Sequence, residues 1–170
     1  MATERSGIFV ALGANLPSAV HGAPRATLEA AVRFLAREGV QIVKRSSWWQ
    51  SAAQPVSDQP DFINGVVEIG STLPPDGLLA LLHRIEASFG RVRQTRWGAR
   101  VLDLDLIDYR GQSTSGEGGG LILPHPRLQE RLFVLLPLQE IAPEWRHPVS
   151  GVVIDALIGQ ANVIKINKLE

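Results

Sequence analysis

Residues 96–107 read Arg-Trp-Gly-Ala-Arg-Val-Leu-Asp-Leu-Asp-Leu-Ile, and the alternation within this stretch predicts a β-strand with one acidic and one apolar face. Side chains two positions apart on a strand point to the same side. Asp103 and Asp105 therefore share a face, and the opposite face, which points into a core, carries Leu102, Leu104 and Leu106. Adjacent carboxylates repel each other unless a cation neutralises them, and Mg²⁺ accepts carboxylate and phosphate oxygens. The pattern indicates a metal site.

Four arginines and a tryptophan precede the two acids: Arg91, Arg93, Arg96, Trp97 and Arg100. Guanidinium groups match the geometry of phosphate oxygens, so acids for a metal beside these arginines indicate a nucleoside triphosphate site. The alternative is a solvated acidic face next to a soluble loop. Asp-x-Asp alone favours that alternative, whereas the combination with the arginines and Trp97 favours the site.

Length and composition predict one domain over residues 1–170, because a chain of 170 residues with 45% hydrophobic residues can bury a sizeable core. Lys and Arg together number 17, as do Asp and Glu, so the basic excess of a nucleic-acid binder is missing. The absence of cysteine excludes disulfides and thiolate metal sites. No apolar run has the length of a membrane span, and the N-terminus lacks a secretory signal. We expect a soluble cytoplasmic monomer that binds neither membranes nor nucleic acid.

The hydrophobic pattern predicts elements in the order β-α-β-β-α-β. The predicted strands are 8–12, 40–50, 62–69 and 100–109, with one helix opening at Pro24 and a second following Pro74 and Pro75. This order is that of the ferredoxin-like α+β fold, an antiparallel sheet with helices on one face. The Gly/Ser-rich segment 112–120 predicts a mobile loop, and further helical pieces are predicted at 127–138 and 152–160.

Three predicted loops carry chemistry: 13–23, 51–61 and 91–99. His125, Arg127 and Arg131 form a second cationic group, although a solvated proline turn explains His125 better when it is taken alone.

The remaining candidates each have two interpretations. Phe62 and Phe133 are core residues or the walls of a slot for a flat heterocycle, with the Asn64 amide on the same face as Phe62. Glu86 is a boundary acid or braces an arginine.

Six segments of the sequence are informative when they are taken together: Leu-Gly-Ala-Asn-Leu at 12–16, Asp-Gln-Pro-Asp-Phe-Ile-Asn at 58–64, Arg-Ile-Glu at 84–86, Gly-Arg-Val-Arg at 90–93, the arginine and aspartate run at 96–106, and Pro-His-Pro-Arg at 124–127 followed by Arg131 and Phe133. On these segments, the chain resembles the 6-hydroxymethyl-7,8-dihydropterin pyrophosphokinase family over residues 8 to about 158. Residues 51–56 depart from it: they read Ser-Ala-Ala-Gln-Pro-Val, where family members often carry Thr-Pro-Pro-x-Gly.

The resemblance implies transfer of the intact pyrophosphoryl group of ATP, the co-substrate, to the pterin hydroxymethyl oxygen, with release of AMP. It implies two Mg²⁺ ions held by Asp103 and Asp105, with Asp103 also near the substrate and Asp105 also catalytic. The remaining roles that it implies are catalysis by Arg91, Trp97 and Arg100, nucleotide contacts by Glu86, Arg93, His125 and Arg131, and pterin contacts by Ser51, Phe62, Asn64 and Phe133.

Two other functions compete with this interpretation. A palm-type nucleotidyl cyclase or transferase also sets Asp-x-Asp on a ferredoxin-like sheet, but it has no need of Phe62, Asn64 and Phe133. A non-catalytic ferredoxin-like module for ligand or RNA binding has no need of a metal diacid, and the RNA-binding aromatic motif is missing from this sequence.

Overall fold

A computed structural model describes residues 7–90 and 99–170, which form eight strands and four helices around one main sheet. The strands are β1 (Ile8–Ala14), β2 (Gln41–Arg45), β3 (Trp49–Ser51), β4 (Phe62–Gly70), β5 (Asp103–Tyr109), β6 (Thr114–Ser115), β7 (Ile122–Leu123) and β8 (Ile166–Lys168). The helices are α1 (Pro24–Arg37), α2 (Pro75–Ser88), α3 (Leu132–Ile141) and α4 (Ile154–Gln160). Within the described ranges, no helix combines the length and apolar character needed to cross a membrane.

The main sheet has six antiparallel strands in the order β5-β1-β4-β3-β8, with β2 also paired to β4. This confirms the predicted ferredoxin-like arrangement, with β1 between β4 and β5. The second predicted strand, 40–50, is divided into β2 and β3, which both pair with β4. β5 begins at Asp103 rather than at Arg100, so Arg100 belongs to the preceding loop.

One face of the sheet is covered by α1 and α2, as expected. Proline occupies the first turn of each helix, where its missing N–H costs no hydrogen bond. The apolar stripes of the helices bury Leu28, Leu35 and Leu82 against the sheet, where they join Leu104 and Leu106 of β5 in one core.

The opposite face is covered by α3 and α4, and the sequence had not indicated this position. A second core joins Leu135 and Leu138 of α3 to Phe9, Val66 and Ile107 of the sheet. α3 begins at Leu132, five residues later than predicted, because a 3-10 turn at Leu128–Glu130 and the extended backbone of Arg131 precede it. The sheet is therefore enclosed between two layers of helices: the two core helices lie on one face as predicted, and the C-terminal helical pieces, for which no face was predicted, cover the other.

Two further segments differ from the prediction. Part of the glycine-rich segment 112–120 enters a two-stranded ribbon, in which β6 pairs with β7, and Leu123 N donates to Thr114 Oγ1 at 2.9 Å. β8, which follows the last predicted helix, adds an outer strand to β3. Strands of two or three residues are too short to show a hydrophobic period.

Candidate functional site

The two acids of β5 lie as the alternation predicted. Asp103 and Asp105 are half-buried, whereas Leu104 and Leu106 on the other face are buried. The acids share their face with Ile107, which belongs to the core beneath α3, so they lie on the α3 side of the sheet. Their register partners on β1 are Gly13 for Asp103 and Ala11 for Asp105. These small residues leave space beside the carboxylates.

A basic side chain from the start of α3 reaches the acid pair. Arg131 Nη1 lies 3.9 Å from Asp105 Oδ2, and the Arg131 guanidinium lies 5.6 Å from the centre of the Phe133 ring. Burial lowers the pKa of Arg131, and the charge of Asp105 opposes that shift. The arrangement brings a cation, a carboxylate and an aromatic face together.

His125 is held close by, on the turn that leads to α3. Its backbone N–H donates to Ile107 O at 2.9 Å, which ties the turn to β5. Its Nδ1 accepts from the Arg127 N–H at 3.2 Å, so Nε2 carries the proton in the neutral ring. Burial lowers the His125 pKa to about 4, the charge of Arg131 adds to the shift, and Asp103 opposes it. At neutral pH His125 is therefore a neutral donor, and grouping it with the cations was wrong for the ligand-free protein.

A polar and aromatic slot lies next to the acids. Asn64 Nδ2 donates to Ser51 Oγ at 2.8 Å, and both side chains are buried. Phe62 lies two residues from Asn64 on β4, on the face that also carries Val66 of the α3-side core. Phe62 and Phe133 are half-buried in the wall of the same cavity. This placement supports the slot interpretation of both phenylalanines.

Asn15, in the first predicted loop, is hydrogen-bonded to the second predicted loop and to Arg100, which directly follows the third. Its side chain is 2% exposed, and its Nδ2 donates to Gln59 Oε1 at 3.2 Å and to Pro60 O at 3.0 Å. Its Oδ1 accepts from the Arg100 N–H at 2.7 Å. Sequence reasoning quoted Asn15 within a motif but assigned it no role. The available signal was a polar residue placed directly after a buried strand.

The acid pair, the basic side chains and the polar and aromatic slot surround one cavity of about 240 Å³. Nine of the predicted site residues line it, and they come from five separate segments of the chain: Ser51, Phe62, Asn64, Arg100, Asp103, Asp105, His125, Arg131 and Phe133. Eight further lining residues were not predicted as site residues: Ala52, Ala53, Gln54 and Gln59 in the 51–61 loop, Ala11, Leu12 and Gly13 on β1, and Val134 on α3.

Glu86 lies outside the cavity lining. It is 2% exposed on α2, and its Oε2 accepts from the Leu104 N–H at 3.2 Å. The acid thus fixes the backbone of β5 between the two aspartates, which is a structural contact with the site rather than a place in its wall. Arg91, Arg93, Arg96 and Trp97, the other predicted residues, lie outside the described part of the chain.

Comparisons with known proteins agree on one family. The family model described as 7,8-dihydro-6-hydroxymethylpterin-pyrophosphokinase matches residues 9–143. A protein named 2-amino-4-hydroxy-6-hydroxymethyldihydropteridine pyrophosphokinase from Synechocystis is 43% identical over 157 residues, covering 92% of this chain and 76% of that protein. A protein of the same name from Haemophilus influenzae is 36% identical, covering 94% of this chain and 97% of that protein.

Solved structures show the same fold. A crystal structure of Plasmodium falciparum HPPK-DHPS with SDX-DHP matches with a TM-score of 0.62 and 13% identity, covering 91% of this chain. This chain spans 43% of that longer protein, so the likeness concerns only one part of it.

Proposed function

The chain belongs to the 7,8-dihydro-6-hydroxymethylpterin-pyrophosphokinase family and transfers the pyrophosphoryl group of ATP to 6-hydroxymethyl-7,8-dihydropterin in folate biosynthesis, and we propose that the cavity between β4, β5 and α3 is its active site. The observation that carries this proposal is the convergence of an acid pair, basic side chains and an aromatic slot in one cavity. Each set suits one part of the reaction: metal, phosphate and pterin.

Asp103 and Asp105 are proposed to hold Mg²⁺, with two ions expected. Among residues 7–90 and 99–170, no group of three or more His, Cys, Asp or Glu residues is placed to hold a metal. Two half-buried carboxylates fit Mg²⁺ at an ATP site, where phosphate oxygens and water supply the other ligands. Bound Mg²⁺ would offset phosphate charge and lower the pKa of a coordinated hydroxyl.

The basic and donor groups are proposed to bind the ATP phosphates. Arg100, which precedes the two acids in the sequence, and Arg131, which follows them, both line the cavity. His125 offers its Nε2–H without adding charge. On the basis of the family pattern, we extend the same role to Arg91 and Arg93 and assign a catalytic role to Trp97. Glu86 supports this site through the backbone of β5.

Phe62 and Phe133 are proposed to stack on the pterin, while Asn64 and Ser51 bind its polar edge. Asp103 would contact the substrate from the metal side. The pterin hydroxyl oxygen then attacks the β-phosphorus and loses its proton to solvent, the bond from that phosphorus to the α,β-bridging oxygen breaks, and AMP leaves with the electron pair. Phosphoryl transfer of this kind depends mainly on positioning and on stabilising charge on oxygen.

We also propose that residues 1–170 form one domain that works as a cytoplasmic monomer on small molecules. The two cores share the same sheet, which supports a single folding unit. The zero net charge argues against nucleic acid as a partner.

Incubation of the wild-type protein with MgATP and the dihydropterin alcohol tests the function. The same assay on site variants tests the choice of active site. AMP should form only when the pterin is present, and Arg131→Ala should reduce its formation strongly. Release of pyrophosphate would instead indicate a nucleotidyl transferase, and absence of turnover would favour a binding module.

A further inference from the structure

One side chain in the cavity wall has a polar atom with no partner. Gln54 lines the cavity, and its Oε1 is buried without a hydrogen bond. The only other such atom in the described ranges is Trp48 Nε1, which belongs to the core beneath α1 and α2. Of these two unpaired atoms, only Gln54 Oε1 belongs to a residue that lines the cavity.

A buried carbonyl oxygen without a donor is costly, and native proteins satisfy the great majority of such groups. The same loop shows how this is done, because the Oε1 of Gln59 accepts from Asn15 Nδ2 at 3.2 Å. The side chains between the two glutamines include Val56, which is 89% exposed and offers no polar contact. The unpaired Oε1 of Gln54 therefore indicates that a bound ligand supplies the missing hydrogen-bond donor.

We propose that Gln54 is a further pterin-binding residue, whose amide turns from its buried position into the cavity and hydrogen-bonds the polar edge of the ring. This inference rests on the proposed function of the cavity. Ser51, which lies three residues earlier, is bonded to Asn64 at 2.8 Å, so the polar side of the slot is within reach of the same loop.

The chemistry of the amide suits such a ring. A glutamine side chain presents one acceptor and two donors, and a pterin edge alternates N–H or amino donors with ring nitrogen and oxygen acceptors. Because Oε1 is buried in the ligand-free protein, the side chain must rotate to reach the ligand. Formation of a hydrogen bond by the previously unpaired oxygen then adds to pterin affinity. In the family pattern Thr-Pro-Pro-x-Gly, Gln54 stands at the variable position x.

Gln54→Met tests the proposal, since methionine keeps an unbranched side chain of similar length and removes the amide. Two effects of opposite sign are expected. The Tm of the ligand-free variant should rise by about 2 °C or more, because the orphan oxygen is gone. In calorimetry with a non-hydrolysable ATP analogue and Mg²⁺ present, the Kd for 6-hydroxymethylpterin should increase by about three- to tenfold. The Kd for the ATP analogue alone should change by less than about twofold.

Two variants of the same loop serve as controls. Val56→Ala, at an exposed position, should leave Tm and both Kd values unchanged. Gln59→Met makes the same chemical change at a satisfied glutamine, so its Tm should fall instead of rise.

An unchanged pterin Kd in Gln54→Met would overturn the proposal, as would a loss of affinity shared equally with the ATP analogue, since that pattern means a disturbed loop. AMP formation by the wild-type protein tests the proposed function separately. The role of Gln54 can thus fail while the assignment of the active site stands.

Discussion

The side-chain oxygen of Asn15 accepts a hydrogen bond from the backbone N–H of Arg100 at 2.7 Å. The amide nitrogen of the same side chain donates to Gln59 Oε1 and Pro60 O. One buried residue thus connects the end of the arginine segment, which we assign to the phosphates, with the loop that borders the pterin slot. The two substrate regions are mechanically linked before any ligand binds.

Asn15→Ala should therefore destabilise the protein and reduce kcat. Loss of the side chain leaves the Arg100 N–H and the loop acceptors without their partner, at a cost of about 1–3 kcal/mol in the free energy of unfolding. Chemical denaturation of Asn15→Ala, Gln59→Met and the double variant measures the link. The effects should be non-additive, because the two side chains share a hydrogen bond. Additive effects would contradict a coupled bridge.

Asp103→Ala and Asp105→Ala should each nearly abolish AMP formation while leaving Tm close to the wild-type value. Both carboxylates are half-buried in the cavity, and their loss removes the side chains that we propose as Mg²⁺ ligands rather than core contacts. Near-normal turnover by both variants would contradict the metal assignment.

Asp108→Asn is a matched control on the same strand. Asp108 is fully buried, its Oδ2 accepts from Trp145 Nε1 at 2.9 Å, and its Oδ1 accepts from the Gly111 N–H at 2.9 Å. The variant keeps one acceptor oxygen and loses the other, so we expect a lower Tm with retained turnover.

These acids illustrate what the sequence could predict. The alternation around Asp103 and Asp105 is a local property of one strand, and the structure confirms it. Asp108 does not fit a period of two, because a bulge shifts the register between Phe9 and Val10 of the paired strand. Ile107 and Asp108 consequently both contact the core beneath α3. A bulge depends on the pairing partner, which a single strand's sequence does not specify.

The same reasoning explains the other differences. The position of α3 on the opposite face of the sheet follows from the burial of Phe9 and Val66 on that face, a long-range match between distant segments. Asn15 and Glu86 also bond the backbone of Arg100 and Leu104, which lie far away in the sequence, and residue type does not specify which distant backbone group a side chain will meet. Phe62 and Asn64, by contrast, could be paired by their spacing alone.

The His125 pKa of about 4 predicts how stability depends on pH. Its unfolded value is near 6.5, so between pH 6.5 and 4 the unfolded chain binds more protons at this position than the folded protein does. Stability should therefore be fully retained above pH 6.5 and decline as the pH falls towards 4. His125→Gln should show a smaller decline of Tm across this window. An equal decline in both proteins would mean that His125 titrates normally.

ATP and pterin should strengthen each other's binding. The predicted loops at 13–23 and 51–61, which Asn15 already joins through Gln59 and Pro60, are expected to close further when both substrates are bound. The predicted loop at 91–99 lies, except for Ala99, outside the described residues. Like charges on the arginines of 91–100 repel one another until phosphate is present, so we expect MgATP to bind first. The hydrogen bonds from Arg100 through Asn15 to Gln59 offer a route by which nucleotide binding affects the pterin slot. By linkage, a non-hydrolysable ATP analogue with Mg²⁺ must raise pterin affinity by the same factor by which pterin raises analogue affinity.

Titration calorimetry of each ligand with and without the other measures this factor, which we expect to fall towards one in Asn15→Ala. A factor of one in the wild-type protein would exclude ordered closure, and an unchanged factor in the variant would exclude Asn15 as the connection.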